Sequence, residues 1–493
     1  MRVRLLGLLV LTALTAATVA GAGPSARILG TPRADQLIGR EGPDTIAAGR
    51  GNDRIAAEYD SGVDRVACGA GRDVVVADPQ DRVERDCEVV SRRVSRDLYT
   101  DPAAQHETQA EPDSFTVGAS TVTTFQVGRL RSGGATNLGF ATSKDGGRTW
   151  RRGALPRLTK ASVPAGPHDR ASDPVVAYSV KHGTWLISGL AIQNGIATRL
   201  TIHRSRDGIT WSGPVDAAVA QTADLAYDKQ WLTCDNGAAS PYRGRCYLAY
   251  TDLRGGETLA LQRSDDGGLT WSAPVTYPIH LVGVIPVVLR DGRLVLSSWA
   301  PQPDRVVAIT STDGGQTLGA PVTISELRAR SAQPFRAPPL VAAELDGPGG
   351  VVVLWQDCRF NAGCAANDVV LARSTDGISW SPVRRVTSRR NAVMPTVGVE
   401  PGRGRLAVLY YTLSPSGADV ELITSTNGIR WSAPQRLNAR RMPFDWMPDT
   451  TLGRMLADYI AVTWSRGRPV AVYAHASPPQ NGELRTAIYA TDR

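Results

Sequence analysis

Histidine, lysine and long apolar runs are scarce in this chain of 493 residues, and each scarcity excludes a class of protein. Only six histidines occur, so a metal centre or a nucleophile built on histidine is not expected. The chain has neither a His-Glu-x-x-His zinc motif nor a Gly-x-Ser-x-Gly nucleophile elbow. Beyond the first residues no apolar run reaches membrane-spanning length, so we expect no membrane span.

Positive charge comes almost entirely from arginine, with four lysines against about fifty arginines and a net charge of +8. This bias is typical of GC-rich coding. No basic run is interleaved with the aromatic residues on which nucleic-acid bases stack. We therefore do not expect nucleic-acid binding.

The first 22 residues, MRVRLLGLLVLTALTAATVAGA, have the features of a secretory signal peptide. Arg2 and Arg4 precede an apolar stretch, and Ala20 and Ala22 supply small residues before a cleavage point. The pattern predicts a signal peptide over residues 1–22, cleavage after Ala22, and a secreted protein.

The six cysteines are even in number, which in an oxidising compartment predicts disulfides. A zinc site is disfavoured because no two cysteine pairs have finger spacing. Local spacing predicts the pairs Cys68 with Cys87, Cys234 with Cys246, and Cys358 with Cys364.

Residues 23–90 contain a short array of aspartates spaced by nine, nine, eleven and nine residues. The array comprises Asp35, Asp44, Asp53, Asp64 and Asp73. With GREGPDTIA and AGRGNDRIA around it, the array resembles the RTX-like (haemolysin-type) nonapeptide of calcium-binding parallel β-rolls. The resemblance implies Ca²⁺ held by these aspartates and by turn carbonyls. The alternative is a metal-free roll held by Cys68 and Cys87. In both cases Ile46, Ile55, Val66 and Val75 are the expected core.

Six copies of one short phrase follow at intervals of a few tens of residues, which indicates a stacked supersecondary unit. They are SKDGGRTW, SRDGITW, SDDGGLTW, STDGGQTL, STDGISW and STNGIRW, ending at residues 150, 211, 271, 318, 380 and 431. The phrase resembles the Asp-box (BNR repeat) of sialidases and other β-propellers, where it connects the third and fourth strands of a blade. Asp or Asn followed by Gly suits such a turn.

Alternating strand patterns precede each copy, so the expected fold is all-β. Three further strands follow the last copy, and the chain stops at Thr491-Asp492, the beginning of a seventh copy. The segment SRRVSRDLYT before the first repeat can donate the missing fourth strand and close a ring. We predict a propeller over residues 91–493 with seven blades, and with six as the alternative.

In a propeller the first strand of each blade lies innermost, so polar residues near these strands are expected to converge on a central funnel. They can pair with one another and plug the channel, or they can form a ligand pocket. The residues concerned are His106, Glu107, Glu111, Asp113, Asp169, Arg170, Asp173, Asp228, Lys229, Trp231, Arg336, Arg454, Asp458 and Tyr459.

Part of the chain also resembles the site of sialidases, which bind a carboxylate with three arginines and use a Tyr nucleophile and an Asp acid/base. PFRAPPL, followed by VVVLWQDCR and NDVVLARSTDGISW, is similar to the sialidase run from a Phe-Arg-Ile-Pro motif to the first Asp-box. Residues 228–252 and 355–377 are also similar to secreted actinobacterial sialidase-like proteins. Ala337 stands where that motif has Ile, and the motif lies in the fifth repeat.

The resemblance implies roles for individual residues. Arg336, Arg170 and Arg454 are the candidate carboxylate clamp, Tyr459 the candidate nucleophile, and Asp368 or Asp357 the candidate acid/base. Asp228 and Trp231 are further candidates for substrate contact, since indole rings stack on sugars. No single Glu partner for the tyrosine can be chosen.

Two functions remain open. One is an exo-sialidase-like glycoside hydrolase acting outside the cell. The other is a non-catalytic propeller, with a calcium-stabilised roll, that binds an extracellular glycan or glycoprotein. We expect a monomer in either case. The two hypotheses differ in whether the Arg336, Arg454 and Arg170 guanidinium groups converge on one carboxylate.

Overall fold

A computed structural model describes residues 25–220, 226–254, 257–388 and 390–492. The predicted signal peptide, residues 1–22, lies outside the described residues. The described chain is all-β, as predicted, and its helical elements are two short 3₁₀ turns, Ala362–Cys364 and Phe444–Trp446. No helix in this part of the chain is long and apolar enough to cross a membrane.

The N-terminal segment forms two parallel sheets that face each other. The odd-numbered strands make one sheet and the even-numbered strands the other, so the chain alternates between them and coils. Its strands are β1 (Arg27–Leu29), β2 (Gln36–Ile38), β3 (Thr45–Arg50), β4 (Arg54–Ala57), β5 (Arg65–Ala70), β6 (Val74–Ala77), β7 (Arg82–Val83) and β8 (Val89–Arg93).

The core between the two sheets consists of the predicted apolar residues. Ile46, Ile55, Val66 and Val75 are fully buried. Each follows an aspartate of the array by two residues and therefore recurs at the same place in every coil. The Cys68–Cys87 disulfide joins two neighbouring coils and lies in the same core.

The rest of the described chain contains seven antiparallel groups of four strands, here called units 1 to 7. Units 1 to 3 contain β9 (Gln105–Val117), β10 (Ser120–Arg129), β11 (Ala135–Ser143), β12 (Arg151–Ala154), β13 (Arg170–Ser179), β14 (Thr184–Gln193), β15 (Ile196–Ser205), β16 (Val215–Val219), β17 (Tyr227–Cys234), β18 (Cys246–Asp252), β19 (Thr258–Ser264) and β20 (Val275–Tyr277).

Units 4 to 6 continue the same order. They contain β21 (Val282–Val288), β22 (Leu294–Pro301), β23 (Asp304–Ser311), β24 (Val322–Glu326), β25 (Ala342–Leu345), β26 (Val351–Asp357), β27 (Asp368–Ser374), β28 (Arg384–Arg385), β29 (Ala392–Val399), β30 (Leu406–Ser414), β31 (Gly417–Ser425) and β32 (Gln435–Arg436). A two-stranded hairpin, β33 (Asp449–Thr450) and β34 (Gly453–Arg454), follows.

Unit 7 combines the two ends of the chain. Its consecutive strands are β35 (Ala461–Ser465), β36 (Arg468–Gln480) and β37 (Glu483–Thr491), and its fourth strand is β8. Strand β8 pairs antiparallel with β37, with Ala490 opposite Arg92, as the sequence predicts for the segment that begins at Ser91. The first strands of successive units contact one another, and β35 contacts β9.

Strand β8 also pairs in parallel with β6, so one strand belongs both to the coil and to unit 7. The boundary predicted between residues 90 and 91 therefore falls inside a strand. The coil and the units share a continuous sheet.

The six repeated phrases form tight turns between the third and fourth strands of units 1 to 6. In the first, the Ser143 hydroxyl donates to Asp145 Oδ1 at 2.8 Å, and the Asp145 carboxylate accepts the Thr149 amide at 3.0 Å. The Trp150 indole donates to the Gly147 carbonyl at 2.9 Å. In this turn, hydrogen bonds from side chains to the local backbone take over where the hydrogen bonds between strands end. This explains why the repeated phrase contains Ser, Asp and Gly.

Candidate functional site

The first strands of several units carry a bulge at equivalent positions. At the bulge, two residues of the first strand lie opposite a single residue of the second strand. The first of the two has a positive φ. A bulge bends the strand and redirects a side chain, and a positive φ in a residue with a Cβ is strained. The bulged residues are Glu111, Asp173, Lys229, Gly283 and Met394.

The redirected charges meet near the axis of the units in an ion cluster. Lys229 Nζ is hydrogen-bonded to Asp458 Oδ2 and lies 3.6 Å from Asp173 Oδ2. Arg336 donates to the same Asp458 oxygen at 2.5 Å. The Asp458 side chain is fully buried, so its charge depends on these two cations.

A hydrogen-bond chain links this ion cluster to unit 1. Gln126 Nε2 donates to Glu111 Oε2 and, at 3.0 Å, to Ser172 Oγ. The Ser172 hydroxyl donates in turn to Asp173 Oδ1 at 2.6 Å. Arg129, buried beside them, donates to the Gly134 carbonyl at 2.7 Å. The cluster is only partly satisfied, because Gln126 Oε1, Arg129 Nε and Asp458 Oδ1 are buried without a hydrogen-bond partner in the protein.

Opposite pKa shifts show how the cluster distributes charge. Burial raises the pKa of Asp458, but Lys229 and Arg336 outweigh it and hold that pKa at about 2. Burial and the nearby Asp173 charge raise the pKa of Glu111 to about 8. Burial likewise raises the pKa of Asp228 to about 6. The surroundings thus favour the charged form of Asp458 and the protonated form of Glu111.

A cavity of about 650 Å³ begins at this cluster and extends towards the ends of the first strands. Asp173, Lys229 and Asp458 form its inner end, and Trp231 and Tyr459 line its wall. The two aromatic rings pack edge to face with their centroids 5.1 Å apart.

Tyr459, the candidate nucleophile, donates its hydroxyl proton to the Pro174 carbonyl at 3.1 Å. Burial, together with the charges of Glu111 and Asp173, raises its pKa well above the ordinary value. The surrounding carboxyl groups therefore oppose the phenolate that a nucleophile requires.

The three candidate clamp arginines have different partners. Arg336 binds Asp458, Arg170 donates to Ser132 Oγ at 2.9 Å, and Arg454 donates to the Met447 carbonyl at 3.2 Å. The backbones of Arg336 and Arg454 are joined by a 2.7 Å hydrogen bond. Among the described residues, no carboxylate pairs with more than one of these guanidinium groups.

The candidate acid/base residues lie in unit 5, beside the short disulfide loop, and do not line the cavity. Asp357 forms a two-pronged ion pair with Arg359, with N–O distances of 2.9 and 2.7 Å. Asp368 pairs with Arg385 at 2.6 Å and accepts from Asn361 at 2.8 Å. Both side chains hold the loop closed by Cys358 and Cys364.

Several predicted funnel residues lie elsewhere. His106 contacts the Tyr99 carbonyl at 3.1 Å, and Asp169 pairs with Lys160 at 2.6 Å in an exposed position. Sequence reasoning missed Gln126, Ser172 and Arg129. The sequence feature that could have identified them is the presence of polar residues on strands that are otherwise apolar.

All three predicted disulfides are present, Cys68–Cys87, Cys234–Cys246 and Cys358–Cys364. The second bridges opposite residues of β17 and β18, close to the cavity wall.

The aspartates of the N-terminal array bond backbone amides of the preceding coil. Asp53 Oδ1 accepts the Asp35 amide at 2.8 Å, Asp64 Oδ1 the Asp44 amide at 2.7 Å, and Asp73 Oδ1 the Asp53 amide at 2.7 Å. The second oxygen of Asp53, Asp64 and Asp73 is buried without a hydrogen-bond partner in the protein. Both oxygens of Asp35 and Asp44 are already bonded.

These unpartnered oxygens fit a hard cation, which takes carboxylate and carbonyl ligands. Within the described ranges, no three His, Cys, Asp or Glu side chains converge on one point. Turn carbonyls would therefore have to supply most of the ligands. Burial raises the pKa of Asp64 to about 6, as expected for a carboxylate without a nearby cation.

Comparison with protein families finds a match over residues 29–58 to the RTX calcium-binding nonapeptide repeat. A sialidase from Micromonospora viridifaciens is 28% identical over an alignment 302 residues long, which covers 54% of this chain and 44% of that sialidase. The chain thus spans less than half the length of this relative. The predicted resemblance to sialidases and to RTX repeats is confirmed.

Matches among solved structures include a sialidase and a trans-sialidase. The Hadza microbial sialidase Hz136 has a TM-score of 0.45 and 17% identity, covering 62% of this chain and 64% of that one. The intramolecular trans-sialidase from Ruminococcus gnavus has a TM-score of 0.45 and 14% identity, covering 70% and 97%.

Proposed function

We propose that this chain is an exported, sialidase-like β-propeller that binds extracellular glycans without hydrolysing sialosides. The observation that carries the proposal is the position of Asp458. Its carboxylate binds Arg336, the arginine that the sialidase resemblance assigns to the substrate carboxylate, and it also binds Lys229. The Asp458 carboxylate thereby occupies the position in which a sialidase would bind the carboxylate of its substrate.

The propeller part of the proposal is supported by the strand pairings. Seven groups of four strands, with the first strands in mutual contact and β35 against β9, favour seven blades over six. The fourth strand supplied by β8 leaves no open edge in the series. The six repeated turns then correspond to Asp-boxes at the outer ends of third strands.

The lack of hydrolysis is supported by Tyr459. Its hydroxyl is committed to the Pro174 carbonyl, and its pKa is raised by burial and by Glu111 and Asp173. Neither Asp357 nor Asp368 lines the cavity where Tyr459 lies. The proposed glycan site is the mouth where the first strands begin, near Arg170 and Arg454.

Sialoside hydrolysis is the second candidate function. The similarity to the Micromonospora viridifaciens sialidase favours it, since that relative aligns with more than half of this chain. Substrate binding would then have to displace Asp458 from Arg336.

One paired experiment separates the two functions. A fluorogenic sialoside is incubated with the wild-type chain and with Tyr459→Phe, while binding of both proteins to an array of sialylated and neutral glycans is measured. We expect background turnover from both proteins and retained glycan binding. Turnover by the wild type that Tyr459→Phe abolishes would establish hydrolysis, and absence of any glycan signal would refute the binding role.

Two further parts of the proposal concern the N-terminal region. Export implies a mature chain that begins at Gly23, which N-terminal sequencing of secreted protein checks. Calcium in the roll would be held by the free oxygens of Asp53, Asp64 and Asp73 and would join neighbouring turns.

A further inference from the structure

The central cavity lies on one side of the ion cluster only. Its wall includes Leu289 and Leu345 at the carboxyl ends of first strands, but not Glu111, Arg129 or Arg336. First and third strands of a unit run in the same direction, so the cavity extends towards the face that carries the repeated turns. It is therefore separate from the mouth where the first strands begin.

The wall of this cavity is largely apolar. Ile285, Val287, Leu340, Ile460 and Val462 contribute to it, from units 4, 5 and 7. Such a surface disfavours a hydroxyl-rich ligand, because each hydroxyl buried without a partner loses its hydration. The cavity suits a ligand with an apolar body.

Two carboxyl groups in the wall have no cationic partner. Asp113, on the first strand of unit 1, accepts only backbone amides, including that of Val176 at 2.8 Å. Glu344, on the first strand of unit 5, accepts the Leu345 amide at 2.9 Å. Neither carboxyl group forms an ion pair with a described residue.

The two carboxyl groups face the same space. Glu344 is exposed and lines this cavity together with Asp113, and burial raises its pKa to about 7. Burial, with a further contribution from Glu344, raises the pKa of Asp113 to about 7. Because units 1 and 5 are not neighbours, this interaction acts across the cavity.

Aromatic rings lie in the same wall. Phe115 follows Asp113 by two residues, and Trp231 packs on Tyr459. The faces of such rings, together with carboxylates, are the groups that recognise organic ammonium ions. An anion would find no free cation deep in the cavity, since Lys229 is bound to Asp458 and Asp173.

We propose that this cavity binds a small organic ammonium ion with an apolar body, whose charged nitrogen lies between Asp113 and Glu344. The site is on the opposite side of the ion cluster from the proposed glycan mouth and does not depend on it. Its ligand supplies the positive charge that the two carboxyl groups lack.

The test uses three probes of equal chain length, hexylammonium, hexan-1-ol and hexanoate, titrated into the full chain at pH 8 by calorimetry. We expect hexylammonium to bind at least about tenfold more tightly than hexan-1-ol, which corresponds to about 1.4 kcal/mol, and hexanoate not to bind. Equal affinities for the amine and the alcohol would overturn the proposal.

Glu344→Gln is the informative variant, because the Glu344 carboxylate bonds only its neighbouring amide and glutamine fills the same space. We expect it to lose the preference for the amine while still binding the alcohol. Glu326→Gln, on an exposed side chain, is the matched control and retains the preference. An unchanged preference in Glu344→Gln would refute the site.

Amine binding also has an expected pH dependence. Besides Glu344, the titratable side chains in the wall are Asp113, Asp173, Lys229, Arg290, Asp458 and Tyr459. The pKa values of Asp113 and Glu344, both about 7, mean that ionisation increases from pH 6 to pH 8. Amine affinity should rise over this interval and alcohol affinity should not. Glycan binding measured on the same samples reports separately on the proposed function.

Discussion

At the scale of single residues, Asp458 determines which cations of the candidate site are neutralised within the protein. It precedes the first strand of unit 7, is completely buried, and pairs with one cation from unit 3 and another that precedes unit 5. Three distant parts of the chain thus depend on one carboxylate. The sequence predicted that Asp458, Lys229 and Arg336 lie close together, and they form one ion cluster, but which groups pair there depends on packing between units.

Asp458→Asn tests this dependence. Removing the charge leaves Arg336 without its carboxylate partner and Lys229 with Asp173 alone, so we expect the free energy of unfolding to fall by about 3–5 kcal/mol. Urea unfolding at pH 7, followed by tryptophan fluorescence, measures the change.

Asp291→Asn is the control for Asp458→Asn. Its side chain is 61% exposed and its distance to Arg293 is 3.7 Å, so removing this surface ion pair should cost less than about 1 kcal/mol. Equal effects of the two substitutions would mean that the cluster around Asp458 contributes no more than an exposed pair.

At the scale of elements, the sequence predicted most of the architecture because its periodicities are local. The nine-residue array gave the coil and its core, and the repeated turn gave the positions of third and fourth strands. The bulges in the first strands were not predictable, since Glu111, Asp173 and Lys229 share no residue type. Glu344 was also missed, because the sequence does not show that its carboxyl group lines the same cavity as Asp113.

The proposed calcium site is a property of the whole coil. Asp64→Asn keeps the oxygen that accepts the Asp44 amide but removes the charge of the buried, unpartnered oxygen. We expect calcium affinity to fall by about tenfold or more, because the number of charged ligands sets affinity. Calorimetric titration of the full chain with Ca²⁺ measures it.

Asp35→Asn provides the matched comparison in the same array. Both of its oxygens already accept bonds from Thr31, so its substitution should change calcium affinity much less. No heat from the wild type at millimolar Ca²⁺ would show that the coil is stable without metal.

At the scale of the whole molecule, the coil is joined to the last unit by more than β8. Glu58, which follows β4, accepts a 2.8 Å hydrogen bond from Tyr489 and lies 3.3 Å from His475. Arg440 lies 3.7 Å from the same carboxylate. These partners come from units 6 and 7, and Glu58 and His475 are each 2% exposed.

Glu58→Gln should therefore loosen the coil from the units. Burial raises the pKa of Glu58, but His475, Tyr489 and Arg440 together lower it to about 2. Because this folded-state pKa lies below the unfolded value of 4.5, the charged group stabilises the joint above pH 4.5 and the contribution is lost as pH falls towards 2. Hydrogen exchange of β4 and β6 should be faster in Glu58→Gln than in wild type at pH 7, and the difference should shrink at pH 3. Glu84→Gln, at an exposed position of the same coil, is the control, and equal exchange rates in the two variants at pH 7 would show that Glu58 does not hold the coil in place.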